Sequence, residues 1–574
     1  MPLVAFEHPL ARRLLVGLLC AVGALALLLA IAVPFHATDA LIYGRWSKEI
    51  AQAGHFTFPD VGNAYLHRPL FYASQGWLWW IFGVHEWMGR ILALAIGVLF
   101  VWTTAALAGG DRRLPFAGAV TAAVMLACPE VMLLGFSGLT DVPVAAFCGA
   151  AAAALWAGRT DARWRIGAVA AAGAAAMLTK PSAVPALVAL GVVHLVVGER
   201  REWRSRLVRG SVPLALGTAV ALAYDQSQAS RLHQSLNDFL HGAIPATDPL
   251  YNRIAAFYLH LRSNARETVV LPFQWLGPYL GVPLIFGLTY GGLRVIGLAH
   301  RMAATVAAVL AAVGCWVLPI AAGQGVTSGP FDNDRPVAAL MTIVLAVAMF
   351  AARRCPDVRA PSRTLLARLL LWAIPMTVVW VAQAPDNTRY LSPVWPALFA
   401  LMGLGIVIAV RGAGRWAPVV LAVVALGAVA DLRNLDNLHA TPSGEVSAWT
   451  FARSISAGDV FHSERLRAAA DPQLGAVLAA VRPLMAHGGT LVSGDGRLPF
   501  FWPDRTRRLA PARCSDLRGS VAFALVTPTL GAQEHLTGTP IDPRFWERCR
   551  SPRTRVVAQQ PGSFAVFAVE GARP

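Results

Sequence analysis

The feature that most constrains the fold of this chain is a series of long apolar stretches joined by short loops that contain arginine. Each stretch has roughly 17–25 residues, the length that an α-helix needs to cross a bilayer. Only 14% of the residues are charged and 56% are hydrophobic, whereas about a quarter of the residues in a soluble domain are charged. The pattern predicts a polytopic α-helical membrane protein with thirteen spans, at residues 14–35, 88–108, 116–134, 141–158, 164–179, 181–197, 208–224, 271–293, 302–322, 336–352, 364–382, 393–410 and 415–430.

Arginine is concentrated in the short loops that follow the even-numbered spans, as at Arg112 and Arg113 and between Arg200 and Arg209. The loops on the other side are longer and contain more acidic and aromatic residues. Short cytoplasmic loops of membrane proteins carry such an excess of Lys and Arg, so the distribution predicts a cytoplasmic N-terminus and a C-terminus outside. The net charge of +17 is then explained by arginines in the cytoplasmic loops, and nucleic acid is not expected as a partner.

Three polar regions lie on the predicted outer side. A first loop (36–87) and a second long loop (225–270) belong to a membrane domain at residues 1–430, and a change in composition marks a small external α/β domain at 431–574. Alternating or apolar runs predict strands at 490–493, 521–526, 555–558 and 564–569 and a helix at 471–486. Cys514 and Cys549 lie in this domain and could pair in an oxidising compartment, whereas the other five cysteines are interpreted as small buried hydrophobic residues.

Ionisable residues collect at the ends of the predicted spans on the outer side. An acid beside an apolar helix is costly unless it is paired or used, so acids and cations at one level predict a cavity that binds an anionic head group and performs acid–base chemistry. The alternative for each residue is an ordinary interfacial charge at a helix end. The residues are Asp39, Asp60, His67, Arg68, Asp141, Lys180, Asp332, Asp334, Arg335, Asp386, Arg389 and Tyr390.

Two further features concern residue types. The chain contains only two lysines, Lys48 and Lys180, among many arginines, which draws attention to both. The first loop also holds a segment that could form an amphipathic helix, at 43–52, and an aromatic run with Trp77, Trp79 and Trp80. Tryptophan is enriched where membrane helices meet the lipid head groups, so we interpret the run as an interfacial belt in preference to a sugar-stacking platform.

Six short motifs follow one another in the chain and, given the predicted topology, share the outer side. The motifs are the acid Asp39 after the first span, His67-Arg68-Pro69-Leu70, the segment 82–90, Ser137-Gly138-Leu139-Thr140-Asp141, Leu178-Thr179-Lys180-Pro181 and the segment 388–396. In this order they resemble the type C (GT-C) membrane glycosyltransferases, in particular the branch with the protein O-mannosyltransferases and the bacterial lipid A aminoarabinose transferase. Two departures occur: Arg68 stands where relatives carry proline, and Ala40 follows Asp39 where relatives often have a second acid.

The resemblance implies a GT-C fold across the membrane domain and the transfer of a monosaccharide from a polyprenyl-phosphate carrier, on the outer face of a bacterial cytoplasmic membrane. Asp39 resembles the first-loop acid that acts as general base or orients the acceptor nucleophile, and Asp141 resembles a second acid at the cavity wall. Lys180 and Arg389 resemble the cations that hold the donor phosphate, and Arg68 either adds a contact to it or reshapes the loop. The remaining predicted cavity and acceptor residues are His67, Tyr43, Tyr390 and Asp60.

Because Lys180 and Arg389 are expected to supply positive charge for the departing phosphate, no metal or other cofactor is expected to be required; a divalent metal in place of these cations is the alternative. The acceptor is left open between a lipid, a glycan and a protein side chain. Two other functions compete with the enzyme: a transporter or flippase of polyprenyl-linked glycan, and a non-enzymatic factor of envelope assembly. Transporters keep their ionisable residues near the bilayer midplane, whereas here these residues lie at helix ends, which favours the enzyme.

Overall fold

The computed structural model describes the helices and strands on which most of the predicted site lies. The described residues are 38–57, 68–110, 114, 116–128, 131, 138–156, 163–180, 182–197, 202–227, 282, 285–294, 300–321, 331–351, 362–383, 388–433, 472–486, 489–493, 497–502, 505–508, 520–526, 554–560 and 564–569. The chain divides into two compact units. The first comprises Met1–Leu27, Tyr65–Phe71 and Ala93–Leu438, and the second comprises Leu28–Ala64, Tyr72–Leu92 and His439–Pro574.

Helices account for nearly all of the described chain before residue 486. They are α1 (Thr38–Ala53), α2 (Leu70–Phe82), α3 (Glu86–Gly109), α4 (Ala117–Ala127), α5 (Asp141–Trp156), α6 (Arg163–Thr179), α7 (Ala183–Val196), α8 (Val212–Ser227), α9 (Arg301–Ala321), α10 (Phe331–Ala351), α11 (Arg363–Gln383), α12 (Trp395–Gly412), α13 (Ala417–Arg433) and α14 (Pro472–Met485). Residues 285–294 are also helical. A short helix (Trp203–Arg206) and a π-helical turn (Leu207–Ser211) precede α8, and 3₁₀ segments occupy Thr388–Val394, Gly414–Trp416 and Leu498–Phe500.

Every predicted span that falls on described residues is helical over most of its described length; Cys128, which follows α4, is extended. The helix α7 is apolar on both its outward and its packed face. Val188, Val192 and Val196 recur every four residues and are 59%, 53% and 71% exposed. The opposite face of α7, with Leu187 and Leu190, is buried. Because residues four apart share one helix face, α7 packs one apolar face on the bundle and leaves the other outward, as a lipid-facing helix does.

The helix α12 forms the centre of the first unit. Its residues are apolar on every side, and 94% of its most apolar 18-residue stretch is buried. Phe100 of α3 packs near Trp395 and Phe399, with ring centroids 6.3 Å apart in both pairs. A helix that is apolar on every side is stable only when other elements surround it, which explains why α4, α5, α11 and α13 all contact α12.

Glycines permit a close helix crossing in this unit. A Cβ on Gly405 of α12 would lie 2.7 Å from the backbone nitrogen of Leu288 and 2.8 Å from the carbonyl carbon of Gly287. The helical segment 285–294 therefore crosses α12 backbone against backbone. Small residues at such crossings are typical of membrane helix packing, in which close van der Waals contact replaces the hydrophobic effect.

Helix length tests only part of the predicted span count. In the described part of the chain, two helices are long and apolar enough to cross a membrane by themselves, Glu86–Gly109 and Leu391–Gly412, and eight further apolar helices have 10–17 residues. The number thirteen therefore stays a prediction. The first predicted span (14–35) and the second long loop beyond residue 227 lie outside the described residues, as do Cys514 and Cys549.

The second unit joins helices of the first loop to a five-stranded sheet. The strands are β1 (Thr490–Ser493), β2 (Thr506–Arg508), β3 (Ser520–Val526), β4 (Thr554–Gln560) and β5 (Phe564–Val569), in the order β2-β1-β3-β5-β4. β1 pairs in parallel with β2 and β3, and β5 pairs antiparallel with β3 and β4. The helix α14 covers the sheet through β3, β4 and β5, so the predicted strands and the predicted helix at 471–486 are confirmed.

The aromatic run of the first loop lies on α2, a helix that the sequence analysis did not predict. Trp77 and Trp80 are 40% and 53% exposed, as the belt interpretation requires, but Trp79 is only 1% exposed. Its indole N–H donates a hydrogen bond of 2.8 Å to the carbonyl of His85. The belt interpretation was therefore wrong for Trp79, because helical spacing turns it to the face opposite its neighbours.

Substituting Gly405 with alanine should destabilise the first unit. The added Cβ would collide with the backbone at Gly287 and Leu288, and overpacking of this kind costs about 1–3 kcal/mol. We expect a lower midpoint of thermal unfolding in detergent. The control is Gly167→Ala on α6, where a Cβ meets nothing within 4 Å. If the Gly405→Ala and Gly167→Ala proteins have the same unfolding midpoint, the close crossing is contradicted.

Candidate active site

The centre of the candidate site is an ion pair between Asp141 and Lys180. The ammonium Nζ of Lys180 donates to Oδ1 of Asp141 at 2.5 Å, across 39 positions of sequence. The Asp141 side chain has no exposed surface, and that of Lys180 is 13% exposed. A carboxylate buried this completely is tolerated where a cation faces it. The structure thus brings together two residues that the sequence analysis had placed in separate roles.

Local sequence explains why the two charges meet. Asp141 is the first residue of α5, and Lys180 directly follows α6, with its backbone N–H bonded to Ala176 O at 3.1 Å. The next residue in the sequence is Pro181, and proline has no N–H to donate to a further helical turn. An acid at a helix N-terminus and a cation at a C-terminus both complement the helix dipole. Since α5 and α6 are the most extensively packed helix pair, the start of one lies beside the end of the other.

The 3₁₀ segment Thr388–Val394 brings a third candidate element to α5. It contacts α5, α7, α11 and α12, and its residues Leu391, Ser392 and Val394 are buried. Arg389 and Tyr390 lie on this segment, and the structure describes their backbone but not their side chains. The first unit therefore packs this segment against α5, the helix that begins at Asp141.

Arg68 is also a member of the first unit. It precedes α2 by two residues, and its side chain is only 3% exposed. Burial of a guanidinium requires hydrogen-bond acceptors or an anion, which is compatible with the predicted contact to a phosphate and equally with a structural role. The neighbouring His67, and Asp60 of the same loop, lie outside the described residues.

The predicted base lies on α1, in the second unit. Asp39 is the second residue of α1, and the structure describes its backbone only. Four residues later, Tyr43 is 3% exposed, and its ring meets the ring of Trp46 edge-on at 5.7 Å. Tyr43 thus belongs to the packed face of α1. Its contact with Trp46 does not support the predicted role of Tyr43 at the acceptor site, which stays a prediction.

The structure adds one residue that the motifs did not identify. Lys48 of α1 donates from Nζ to Phe500 O at 2.8 Å, and the ammonium lies 3.9 Å from the centroid of the Phe500 ring. In the sequence, only the scarcity of lysine drew attention to Lys48, because it is one of two lysines.

No group of three His, Cys, Asp or Glu side chains with the spacing of a metal site occurs among the described residues, and metal independence stays a prediction.

Comparisons with known proteins identify the fold. No family model matches the sequence, and no curated protein matches it. Two solved structures of ArnT from Cupriavidus metallidurans are similar. The one bound to undecaprenyl phosphate has a TM-score of 0.56 and 17% identity, and the match covers 96% of this chain and 97% of that one. The apo structure has the same TM-score and identity, with 97% and 98% covered.

A third similar structure is the archaeal oligosaccharyltransferase AglB from Archaeoglobus fulgidus, in complex with an inhibitory peptide and a dolichol-phosphate. It has 12% identity over 99% of this chain and 75% of that one, and its TM-score of 0.41 does not define a shared fold. The two ArnT structures do, over almost the whole of both chains. The chain has the fold of a GT-C membrane glycosyltransferase, which confirms the resemblance predicted from its motifs.

Proposed function

We propose that the protein transfers a monosaccharide from a polyprenyl-phosphate donor to a cell-envelope acceptor. The observation that carries this proposal is the buried pair of Asp141 and Lys180 within a fold whose ArnT representative binds undecaprenyl phosphate. A buried ammonium at helix ends suits a lipid phosphate better than a neutral substrate. The acceptor is a lipid, a glycan or a protein side chain.

Lys180 is the first residue that we assign to the donor phosphate. A lysine ammonium carries three N–H donors, and Asp141 accepts from one of them at 2.5 Å. The carboxylate therefore holds the ammonium in one direction, and we assign this oriented ammonium to the donor phosphate. Arg389, on the segment packed against α5, and Arg68 complete the proposed cation set. Positive charge directed at the departing phosphate stabilises the charge that develops there.

The proposed reaction forms a bond between the anomeric carbon of the sugar and an acceptor oxygen or nitrogen. The bond between that carbon and the phosphate oxygen breaks, and the polyprenyl phosphate leaves with the bonding electron pair. Asp39 takes the proton of the acceptor as general base, a role in which a positioned carboxylate contributes typically 10²–10⁴-fold in rate. His67, Tyr43, Tyr390 and Asp60 are proposed to line the cavity and the acceptor site.

The proposed location is the inner membrane of a bacterium. Thirteen spans cross it within residues 1–430, the N-terminus is cytoplasmic, and the domain at 431–574 lies on the periplasmic side. Arginine-rich loops support this orientation, and lipid-facing helices such as α7 support insertion. No metal is proposed, because the cations supply the charge that a metal would otherwise provide.

Replacing the proposed base tests the proposed reaction. Purified protein is given a radiolabelled polyprenyl-phosphate sugar and a cell-envelope extract, and transfer is measured for the wild type and Asp39→Asn. We expect a loss of at least about 10²-fold for Asp39→Asn, because an amide cannot accept the proton. The matched control is Glu49→Gln on the same helix, whose carboxylate pairs with Arg45 at 2.8 Å and should be dispensable.

Undiminished transfer by Asp39→Asn would exclude Asp39 as the base. If the wild-type protein neither transfers nor hydrolyses any donor offered, the proposed function itself fails. A flippase or an assembly factor would then be favoured, and a flippase would move labelled polyprenyl-linked glycan across vesicle membranes.

The buried ion pair is tested by a double-mutant cycle on stability. Removing one partner of a buried pair costs about 3–5 kcal/mol, whereas replacing both with groups of similar volume is often nearly neutral. We expect Lys180→Met to lower the unfolding midpoint strongly, and Asp141→Asn together with Lys180→Met to recover most of the loss. Additive losses in the double variant would show that the two side chains do not interact.

Orientation is tested by labelling single cysteines in a cysteine-free background. Val556 of β4 is 45% exposed, and Arg204 lies exposed on the short helix Trp203–Arg206, on the opposite predicted side. A membrane-impermeant maleimide should label Val556→Cys in intact spheroplasts and Arg204→Cys only after permeabilisation. The reverse pattern would overturn the topology and the proposed outer location of the site.

A further inference from the structure

A contact between Lys48 and Phe500 joins α1 to the C-terminal domain. The Nζ atom of Lys48 donates to Phe500 O at 2.8 Å across 452 positions of sequence, and it lies 3.9 Å from the centroid of the Phe500 ring. Both residues belong to the second unit. One ammonium is thus held by a carbonyl and by an aromatic face of the same residue.

The surroundings of Phe500 make the contact specific. Phe500 is 1% exposed and Leu498 is fully buried within the turn Leu498–Phe500, and the ring of Phe501 meets Phe500 edge-on at 5.2 Å. The carbonyl therefore has a fixed direction. A cation over an aromatic ring is worth roughly 0.5–1 kcal/mol when exposed and about 2 kcal/mol or more when desolvated, and Lys48 is half-buried.

On its other flank, α1 is fixed to α2. The Ser47 hydroxyl lies 2.8 Å from Tyr43 O and 2.9 Å from Tyr72 O, and the rings of Trp46 and Tyr72 meet edge-on at 5.2 Å. At Gly76 of α2, a Cβ would lie 2.8 Å from Cβ of Ile50. The helix that contains Asp39 is therefore held both by α2 and by the turn of the C-terminal domain.

A clamp at Lys48 acts on Asp39 because the two residues share one helix. Nine residues separate them, which is about 13 Å of helix at 1.5 Å per residue. A helix held at its C-terminal half by packed groups keeps its first turn in a fixed position and direction. Displacement of a reacting group by about 1 Å costs up to about 10²-fold in rate, so the orientation of α1 matters for a base in its first turn.

We propose that Lys48 is a positioning residue that fastens the turn Leu498–Phe500 to α1 and thereby holds Asp39 for proton abstraction. This gives the C-terminal domain a part in the chemistry, because its turn supplies the carbonyl and the ring to which the helix is fastened. The inference rests on the proposed function, in which Asp39 is the base.

The test compares Lys48→Ala, Lys48→Arg, Phe500→Ala and the double variant Lys48→Ala/Phe500→Ala in the transfer assay with full-length protein. We expect kcat to fall by about tenfold to a hundredfold in Lys48→Ala and Phe500→Ala, with little change in KM for the donor. The double variant should be no slower than the worse single variant, since both remove one contact. Lys48→Arg should recover much of the rate, because arginine also binds aromatic faces.

The matched control is Arg45→Ala on the same helix. Arg45 forms a partly buried pair with Glu49, four residues further on, at 2.8 Å, and its removal should leave kcat within about twofold, because such i,i+4 pairs on a helix contribute little. Hydrogen exchange of residues 489–508 provides a readout that does not need activity, and Lys48→Ala should raise exchange there.

The outcomes separate the inference from the proposed function. If Lys48→Ala shows increased exchange but a wild-type kcat, the contact exists in the wild-type protein and the positioning role is overturned. Unchanged exchange and unchanged kcat would overturn both. A raised KM for the donor with kcat intact would assign Lys48 to binding and also overturn positioning. If the wild-type protein itself shows no transfer, the proposed function fails, whatever the exchange measurement shows.

Discussion

The Asp141 carboxylate has no exposed surface, and it faces the ammonium of Lys180 at 2.5 Å. In an apolar helical protein such a charge is stable only if a cation reaches it, and this requirement constrains the surrounding structure. The start of α5 must lie beside the end of α6, where Lys180 directly follows the helix. α5 packs on α6 accordingly, and the segment Thr388–Val394 also packs on α5.

Much of the fold could be predicted from the sequence because the signals were local. Apolar length and arginine distribution predicted the helices from 88 to 430, and alternation predicted four of the five strands. The helix α2 was missed because its aromatic run shows no clear period, and β2 was missed because three residues, Thr506–Arg508, carry too little pattern. The burial of Trp79 followed from the helical spacing of α2, which was not recognised.

The site was less predictable because its contacts are not local. Asp141 and Lys180 were each selected, but their pairing depends on how α5 and α6 pack, which no short motif encodes. Lys48 stood out only through the scarcity of lysine, and its partner Phe500 lies 452 residues away. The motif order predicted the GT-C fold, and the roles of Asp39, Arg389, Arg68, His67, Tyr390 and Asp60 stay predictions.

The scarcity of lysine has a practical consequence. With one lysine in each of the two units, amine chemistry becomes almost residue-specific in this protein. Reductive methylation with a carbon-13 label would place one side-chain reporter on α1 and one at the end of α6, apart from the N-terminal amine. Magnetic resonance of two such methyl signals would follow the two units separately in detergent or in lipid, without any substitution in the chain.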